Sequence, residues 1–295
     1  MLTACFPPFN LFFLGFMGFV PLLYLERKIR GNQEYSAVFY LYTALSLFLW
    51  NACTTFWIWN ASPEGAIAAF VINTLMMSLP FLVYHRIQLK ENEQGALWAF
   101  VFAWIAFEYW HLNWQLAWPW LTLGNIFATV PSTVQWYEYT GVFGGSMWIL
   151  YLNKKVFEYL KKVKGRSRFL NFSKAFNLLF FGIFAPVLAS FFIQFNYDSK
   201  NKLLNETELN VMVVQPNIDP YTDKFKGMEP VDQAQKMLRI AEEKMDSTIQ
   251  LVMFPETALQ GNIDEDHFEM NESIQLVKQF IRKHPGISVL SGADT

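Results

Sequence analysis

The hydrophobic pattern of the first two thirds of the chain is that of membrane helices. Each of six apolar stretches approaches the roughly 20 helical residues that cross a bilayer core of about 30 Å. The first is interrupted by prolines and lacks the basic leader and small-residue cleavage site of a signal peptide. We therefore predict a multi-span α-helical membrane domain over residues 1–197. Its helices are expected at 6–25, 36–59, 65–84, 95–112, 133–152 and 174–196.

The pattern changes after residue 197. Residues 198–208 (DSKNKLLNETE) are polar, which predicts a linker. Beyond it, short apolar runs alternate with amphipathic segments, which is typical of an α/β domain. The predicted elements of residues 209–295 are strands at 209–215, 249–254 and 287–290 and helices at 231–245 and 267–283. Three strands leave an open parallel edge, so we expect this domain to be incomplete at residue 295.

Composition supports a membrane protein. The chain is 53% hydrophobic and 16% charged, against about 25% charged residues in an ordinary soluble domain. The net charge is −2 and no basic patch is interleaved with aromatics, so no nucleic-acid partner is expected. Cys5 and Cys53 lie in apolar sequence, which excludes a disulfide framework. The four histidines lack metal-ligand spacing, so we expect neither a metal nor another cofactor.

The distribution of lysine and arginine predicts the orientation. Connections 26–30, 85–90 and 154–168 together hold twelve Lys or Arg, whereas 60–64 and 113–132 hold none. Basic connections stay in the cytoplasm, so everything after Tyr197 is expected outside. The run at 154–168 is interpreted as a topology anchor that also meets anionic lipid heads. The same count places Met1 outside, from which we infer an earlier spanning helix before it.

Polar and aromatic residues near the predicted membrane surface offer weak functional candidates. Glu108 lies near the outer end of a span and Glu138 near an interface, where an unpaired carboxylate is costly. The aromatic segment 111–120 (HLNWQLAWPW) fits an interfacial belt, which is favoured over a lipid-substrate groove.

The strongest candidate for chemistry is Glu256. Residues 249–259 (IQLVMFPETAL) form an apolar run that ends in a carboxylate. This pattern predicts a buried strand that presents Glu256 at the edge of a sheet. Taken alone, an ordinary solvated turn residue is the commoner interpretation, because Glu is rarely buried.

Three features together resemble the apolipoprotein N-acyltransferase family of bacterial membrane enzymes. One predicted strand ends within VVQPNI (213–218) and a second ends within FPETA (254–258). A multi-span membrane region precedes both. The segments AWPWLTLGN and VQWYEYTGVFGG resemble membrane motifs of that family, and FPPFN resembles its early outer loop. The resemblance covers the whole chain but only part of a complete family member. We therefore expect truncation at the C-terminus and at the N-terminus.

The resemblance implies a fold, a location and a reaction. The C-terminal part is expected to begin a nitrilase-like αββα sandwich on the periplasmic side of the bacterial cytoplasmic (inner) membrane. The implied reaction passes an acyl chain from a phospholipid donor, through a cysteine thioester, to the N-terminal diacylglyceryl-cysteine of an apolipoprotein acceptor. This is the last step of lipoprotein maturation, and membrane lipids are the implied surroundings.

The family's catalytic triad is Glu, Lys and Cys. Glu256 matches the first member, which implies a general base. The resemblance places the Lys and Cys beyond residue 295, so these 295 residues alone are expected to be inactive.

Two alternative functions stay open at this point. A nitrilase-type amidase would share the Glu motif but is usually soluble. A transporter with an extracytoplasmic domain would be expected to carry more charge within its spans.

Overall fold

The structure is a computed structural model that describes residues 1–30, 36–90, 93–163, 177, 180–201, 208–219, 223–224, 227–261 and 263–294. The chain divides into two compact units, Met1–Leu203 and Leu204–Thr295. Each unit is described by itself.

The first unit is helical. Its helices are α1 (Val20–Ile29), α2 (Ser36–Thr54), α3 (Pro63–Gln88), α4 (Glu93–Leu112), α5 (Tyr137–Val163) and α6 (Ala185–Asn201). Short 3-10 segments connect them, and a π-helical turn at Phe180–Phe184 leads into α6. Three of the described helical stretches are long and apolar enough to cross a membrane: Ser36–Asn60, Pro63–Gln88 and Phe180–Ser199. The chain is thus a membrane protein by helix length and hydropathy, with three candidate spans where the sequence predicts six.

The predicted first span, 6–25, is wrong as a continuous helix. Within it, Phe12–Met17 is a 3-10 helix and α1 begins only at Val20; a further 3-10 helix, Leu2–Cys5, precedes it. Proline supplies no backbone N–H, so the Pro7-Pro8 pair cannot continue a helix. With ten residues, α1 is only about 15 Å long. Its residues Phe6, Phe16 and Phe19 are buried in the core of the unit, whereas Phe9 and Phe13 are exposed.

Asn153 of α5 satisfies the irregular backbone of this segment. Its Nδ2 donates to the Gly15 carbonyl at 2.7 Å, and its Oδ1 accepts from the Phe19 N–H at 2.8 Å. The Asn153 side chain is fully buried. Non-helical backbone is tolerated at membrane depth only where protein groups pair it. Asn153 therefore allows the segment before α1 to pack inside the helical unit.

A buried polar cluster joins the basic ends of several helices. Glu26 is fully buried and accepts from Arg30 Nη2 at 3.0 Å. His85 Nδ1 lies 3.2 Å from Glu26 Oε1, and Ser36 Oγ lies 2.9 Å from His85 Nε2. Burying a carboxylate costs much less free energy when it is paired than when it is alone. These partners therefore allow Glu26 to be buried. Further basic residues are paired with carboxylates nearby, through Lys161–Glu93 and Lys154–Glu158.

The second unit contains the elements that the sequence predicts, with shorter strands. They are β1 (Val211–Val213), α7 (Pro230–Lys244), β2 (Leu251–Met253), α8 (Glu272–Lys283) and β3 (Ser288–Leu290). The strands form a parallel sheet in the order β1-β2-β3. Val252 is paired with Met212 on one side and Val289 on the other.

The helix before β3 starts later than predicted, and part of the predicted linker lies outside the described residues. Helix α8 begins at Glu272 instead of residue 267, because the Asn271 side chain caps it by accepting from the Ile274 N–H at 3.2 Å. A separate 3-10 segment, Glu265–Met270, precedes the cap. Helix α6 continues to Asn201, and residues 202–207 of the predicted linker lie outside the described residues.

The sheet and both helices share one core. Val214, directly after β1, and Val252 of β2 are buried. They pack with Met237 of α7 and Phe280 of α8. Phe254, directly after β2, completes this core. The burial of Phe254 fixes the end of β2 and hence where the following turn begins.

Candidate functional site

The three strands present their carboxyl ends at one edge of the sheet. Such an edge is where open parallel sheets commonly place their ligand sites. Glu256 follows β2 by three positions, after Phe254 and Pro255, and its side chain is exposed. The structure therefore puts the carboxylate at the sheet edge, as the sequence predicts, in a position that another molecule can reach.

A cavity of about 240 Å³ lies against Glu256. It is lined by residues 215–218 after β1, residues 255–258 after β2, Lys224, and Gln233 and Met237 of α7. The cavity thus brings together the two strand-end motifs on which the resemblance depends. Lys224 and Gln233 also line the cavity, although the sequence pattern does not predict them as site residues.

Two residues in the cavity wall have left-handed backbone conformations. The φ of Asn217 is 48° and that of Thr257 is 49°. Asn tolerates this region, but for a β-branched residue it is an outlier that costs of order 1–3 kcal/mol. The Thr257 conformation persists only because its surroundings hold it. Strained turns of this kind cluster at functional sites.

Gly292 closes one side of the Glu256 turn. A Cβ at this position would lie 2.7 Å from the Thr257 nitrogen and 3.0 Å from the Glu256 Cα. The Leu259 N–H donates to the Gly292 carbonyl at 3.1 Å, which ties the segment after β2 to the segment after β3. Only glycine permits this approach of the two backbones.

Replacing Gly292 by alanine is expected to displace the Glu256 turn. The new methyl group meets backbone atoms that cannot rotate away, so we expect a loss of about 1–3 kcal/mol in stability. Thermal unfolding of the chain in detergent measures this loss. Ser247→Ala, at an exposed position between α7 and β2, is the control and should change stability by about 0.5 kcal/mol or less. Equal behaviour of the two variants would show that the close approach is not required.

Lys224 contacts the same turn from the loop after β1. Its ammonium donates to Thr257 Oγ1 and lies 3.4 Å from the Glu256 carbonyl oxygen. Gln233 of α7, only 2% exposed, donates from Nε2 to the Lys224 carbonyl at 2.8 Å. An exposed carboxylate at a sheet edge, on a turn held by these contacts, is suited to proton transfer at a substrate bound in the cavity. The two cysteines of the chain, Cys5 and Cys53, belong to the first unit.

The other carboxylate candidates lie in the first unit. Glu108 is 3% exposed, and its Oε1 accepts from Trp104 Nε1 at 2.9 Å and from the Leu123 N–H at 2.8 Å. These two bonds link the segment after α4 to α4 itself. The role of Glu108 in the structure is therefore to hold that segment. Glu138 is exposed and borders a separate cavity of about 360 Å³.

The aromatic segment 111–120 borders an apolar cavity of about 490 Å³. Trp120 lines it and packs edge-on against Trp57, with ring centroids 5.1 Å apart. An interfacial belt and a lipid groove both fit such a surface, so the two interpretations of this segment stay predictions.

The chain is similar to known proteins along most of its length. Residues 1–154, more than half of the chain, match the family model described as the apolipoprotein N-acyltransferase N-terminal domain. The chain is 24% identical over 250 residues to an apolipoprotein N-acyltransferase of Chlorobaculum tepidum, covering 83% of this chain and 44% of that protein. It is 25% identical over 254 residues to apolipoprotein N-acyltransferase 2 of Treponema denticola, covering 83% of this chain and 46% of that protein. The chain thus spans less than half the length of these curated relatives. By the match over its first 154 residues, the chain belongs to the apolipoprotein N-acyltransferase family.

Proposed function

We propose that the protein transfers an acyl chain from a phospholipid to the N-terminal diacylglyceryl-cysteine of an apolipoprotein, with Glu256 as general base. The observation that carries the proposal is the exposed Glu256 carboxylate at the carboxyl edge of a parallel sheet, beside a cavity. It occurs in a chain of the apolipoprotein N-acyltransferase family. Both relatives named above carry the same activity in their names.

The proposed reaction has two half-reactions. In the first, Glu256 takes the proton of a cysteine thiol, and the thiolate attacks the ester carbonyl of the phospholipid. The ester C–O bond breaks, the lysophospholipid leaves as an alcohol with the proton from Glu256, and a thioester remains. In the second, the α-amino group of the acceptor attacks the thioester and Glu256 takes the amine proton. The C–S bond then breaks, and Glu256 returns the proton to the departing sulfur, which restores the cysteine thiol and the Glu256 carboxylate. The proposal takes the cysteine and a catalytic lysine from a part of the protein beyond residue 295.

The proposed setting is the bacterial inner membrane. In the proposed orientation the helical first unit lies in this membrane and the second unit lies on the periplasmic side, as the first part of a nitrilase-like domain. The asymmetry of lysine and arginine along the first unit supports this orientation. Both substrates of the proposed reaction are held in the bilayer, the phospholipid as one of its lipids and the apolipoprotein by its diacylglyceryl group, which fits a membrane enzyme.

An acyl-transfer assay tests the proposed function directly. The complete gene product, in proteoliposomes, is given phospholipid with a labelled acyl chain and a diacylated lipopeptide with a free N-terminus. We expect the label in the lipopeptide as an amide, with one lysophospholipid released per acyl group transferred. A lipopeptide whose α-amino group is acetylated is the control and should stay unlabelled.

The same assay separates the alternatives. A membrane-tethered amidase would release ammonia from small amides and leave the phospholipid intact. A transporter would move a solute without changing any covalent bond. Either result, with no label in the lipopeptide, would contradict the acyltransferase proposal.

A further inference from the structure

A chain of contacts leads from helix α7 to the turn that carries Glu256. It begins at Gln233, whose buried Nε2 donates to the Lys224 carbonyl at 2.8 Å and to the Met228 carbonyl at 2.9 Å. The Lys224 N–H donates to the Asp219 carbonyl at 2.8 Å. The backbone of Lys224 is therefore held through both of its polar groups, although it lies in a loop.

The Lys224 side chain completes the chain of contacts. Its ammonium reaches residues 32 and 33 positions away in sequence, the Glu256 carbonyl oxygen and the Thr257 hydroxyl. Both contacts are with the turn itself, and bonds from a charged donor are stronger than neutral ones. The turn also rests against Gly292. The left-handed Thr257 thus has both a glycine backbone and an ammonium group in contact with it.

We propose that Lys224 is a positioning residue for Glu256, fixing the strained turn so that the carboxylate meets the cavity at a constant place. This inference rests on the proposed function, in which Glu256 is the base. A displacement of about 1 Å in a catalytic group can lower the rate about 100-fold. Since Lys224 acts on the placement of the base, its loss should lower kcat and leave KM nearly unchanged.

Substitutions in the complete gene product test the inference. Lys224→Met keeps the length of the side chain and removes the charge, and we expect kcat for acyl-enzyme formation to fall about 100-fold with KM within about twofold. Lys224→Arg restores a cation and should recover at least part of the loss, about tenfold. The matched control is Lys244→Met, at an exposed lysine at the end of α7, which should stay within about twofold of the unmodified protein.

Substitutions at Thr257 test the same contact from its other side. Thr257→Val removes the acceptor and keeps the β-branch, so it should resemble Lys224→Met, whereas Thr257→Ser should stay close to the unmodified protein. Because both groups form one contact, the double variant Lys224→Met with Thr257→Val should be no slower than the slower single variant. Effects that multiply in the double variant would overturn the inference.

Hydrogen exchange gives a readout that does not need catalysis. In Lys224→Met, exchange in a peptide covering residues 254–260 should be about tenfold faster, and in Lys244→Met unchanged. If Glu256→Gln is fully active while this exchange still rises, the base role fails and the positioning role stands. If Glu256→Gln is inactive while Lys224→Met keeps its kcat or its slow exchange, the positioning role is overturned and the base role stands.

Discussion

Glu256→Gln is expected to lower the rate of acyl-enzyme formation about 1000-fold. Glutamine keeps the shape of the side chain at the end of β2 but cannot accept the thiol proton, and general-base catalysis commonly contributes 10²- to 10⁴-fold. The structure supports a small effect on folding, because Glu256 is exposed and the turn is held by backbone and by Lys224. Single-turnover experiments with labelled phospholipid measure the rate of thioester formation in the complete gene product.

A matched control separates this effect from a general loss of negative charge. Glu243 is an exposed glutamate of α7, and Glu243→Gln should form the acyl-enzyme at the unmodified rate. Glu256→Asp moves the carboxylate back by one methylene and should fall between the two. An unchanged rate in Glu256→Gln would remove Glu256 from the base role.

The sequence predicts the second unit well because its signals are local. The apolar run at residues 249–254 is enough to predict a strand with Glu256 beyond its end. The structure has β2, Leu251–Met253, within this run. The start of α8 is missed by five residues, because the cap at Asn271 depends on one side-chain bond that hydrophobic periodicity does not report. The first predicted span fails for a related reason. Residues 6–25 are apolar enough to span but contain backbone that cannot form a helix.

The site is predicted in part. Glu256 and the loop at residues 215–218 follow from strand-end motifs, and parallel pairing brings them to one edge. Lys224 and Gly292 carry no such signal, since their contacts join loops more than thirty positions apart. The sequence around Gly292 (SGAD) does follow a strand, and a glycine there is a hint of close backbone approach. Which backbone approaches it is visible only in three dimensions.

Asn153→Leu is expected to have the largest effect on stability, about 3 kcal/mol. Leucine has a similar volume, but it leaves the Phe19 N–H without the partner that it has at 2.8 Å, and it removes the 2.7 Å bond to the Gly15 carbonyl, which keeps only the Gly18 N–H at 3.3 Å. A buried donor without a partner costs about 1–3 kcal/mol, and the lost bond to the Gly15 carbonyl adds about 1 kcal/mol. In a hydrocarbon surrounding no water replaces the lost bonds. The consequence is local loosening before α1, followed by earlier unfolding of the helical unit.

Thermal unfolding of the chain in detergent micelles measures this effect as a fall in the midpoint of roughly 5–10 °C. The matched control is Asn113→Leu, at an exposed asparagine just after α4 whose Nδ2 donates to the Tyr109 carbonyl at 2.7 Å. Water replaces that bond when it is lost, so the control should change stability by about 0.5 kcal/mol or less. If Asn153→Leu is no less stable than Asn113→Leu, the irregular segment does not depend on Asn153 for its backbone bonds.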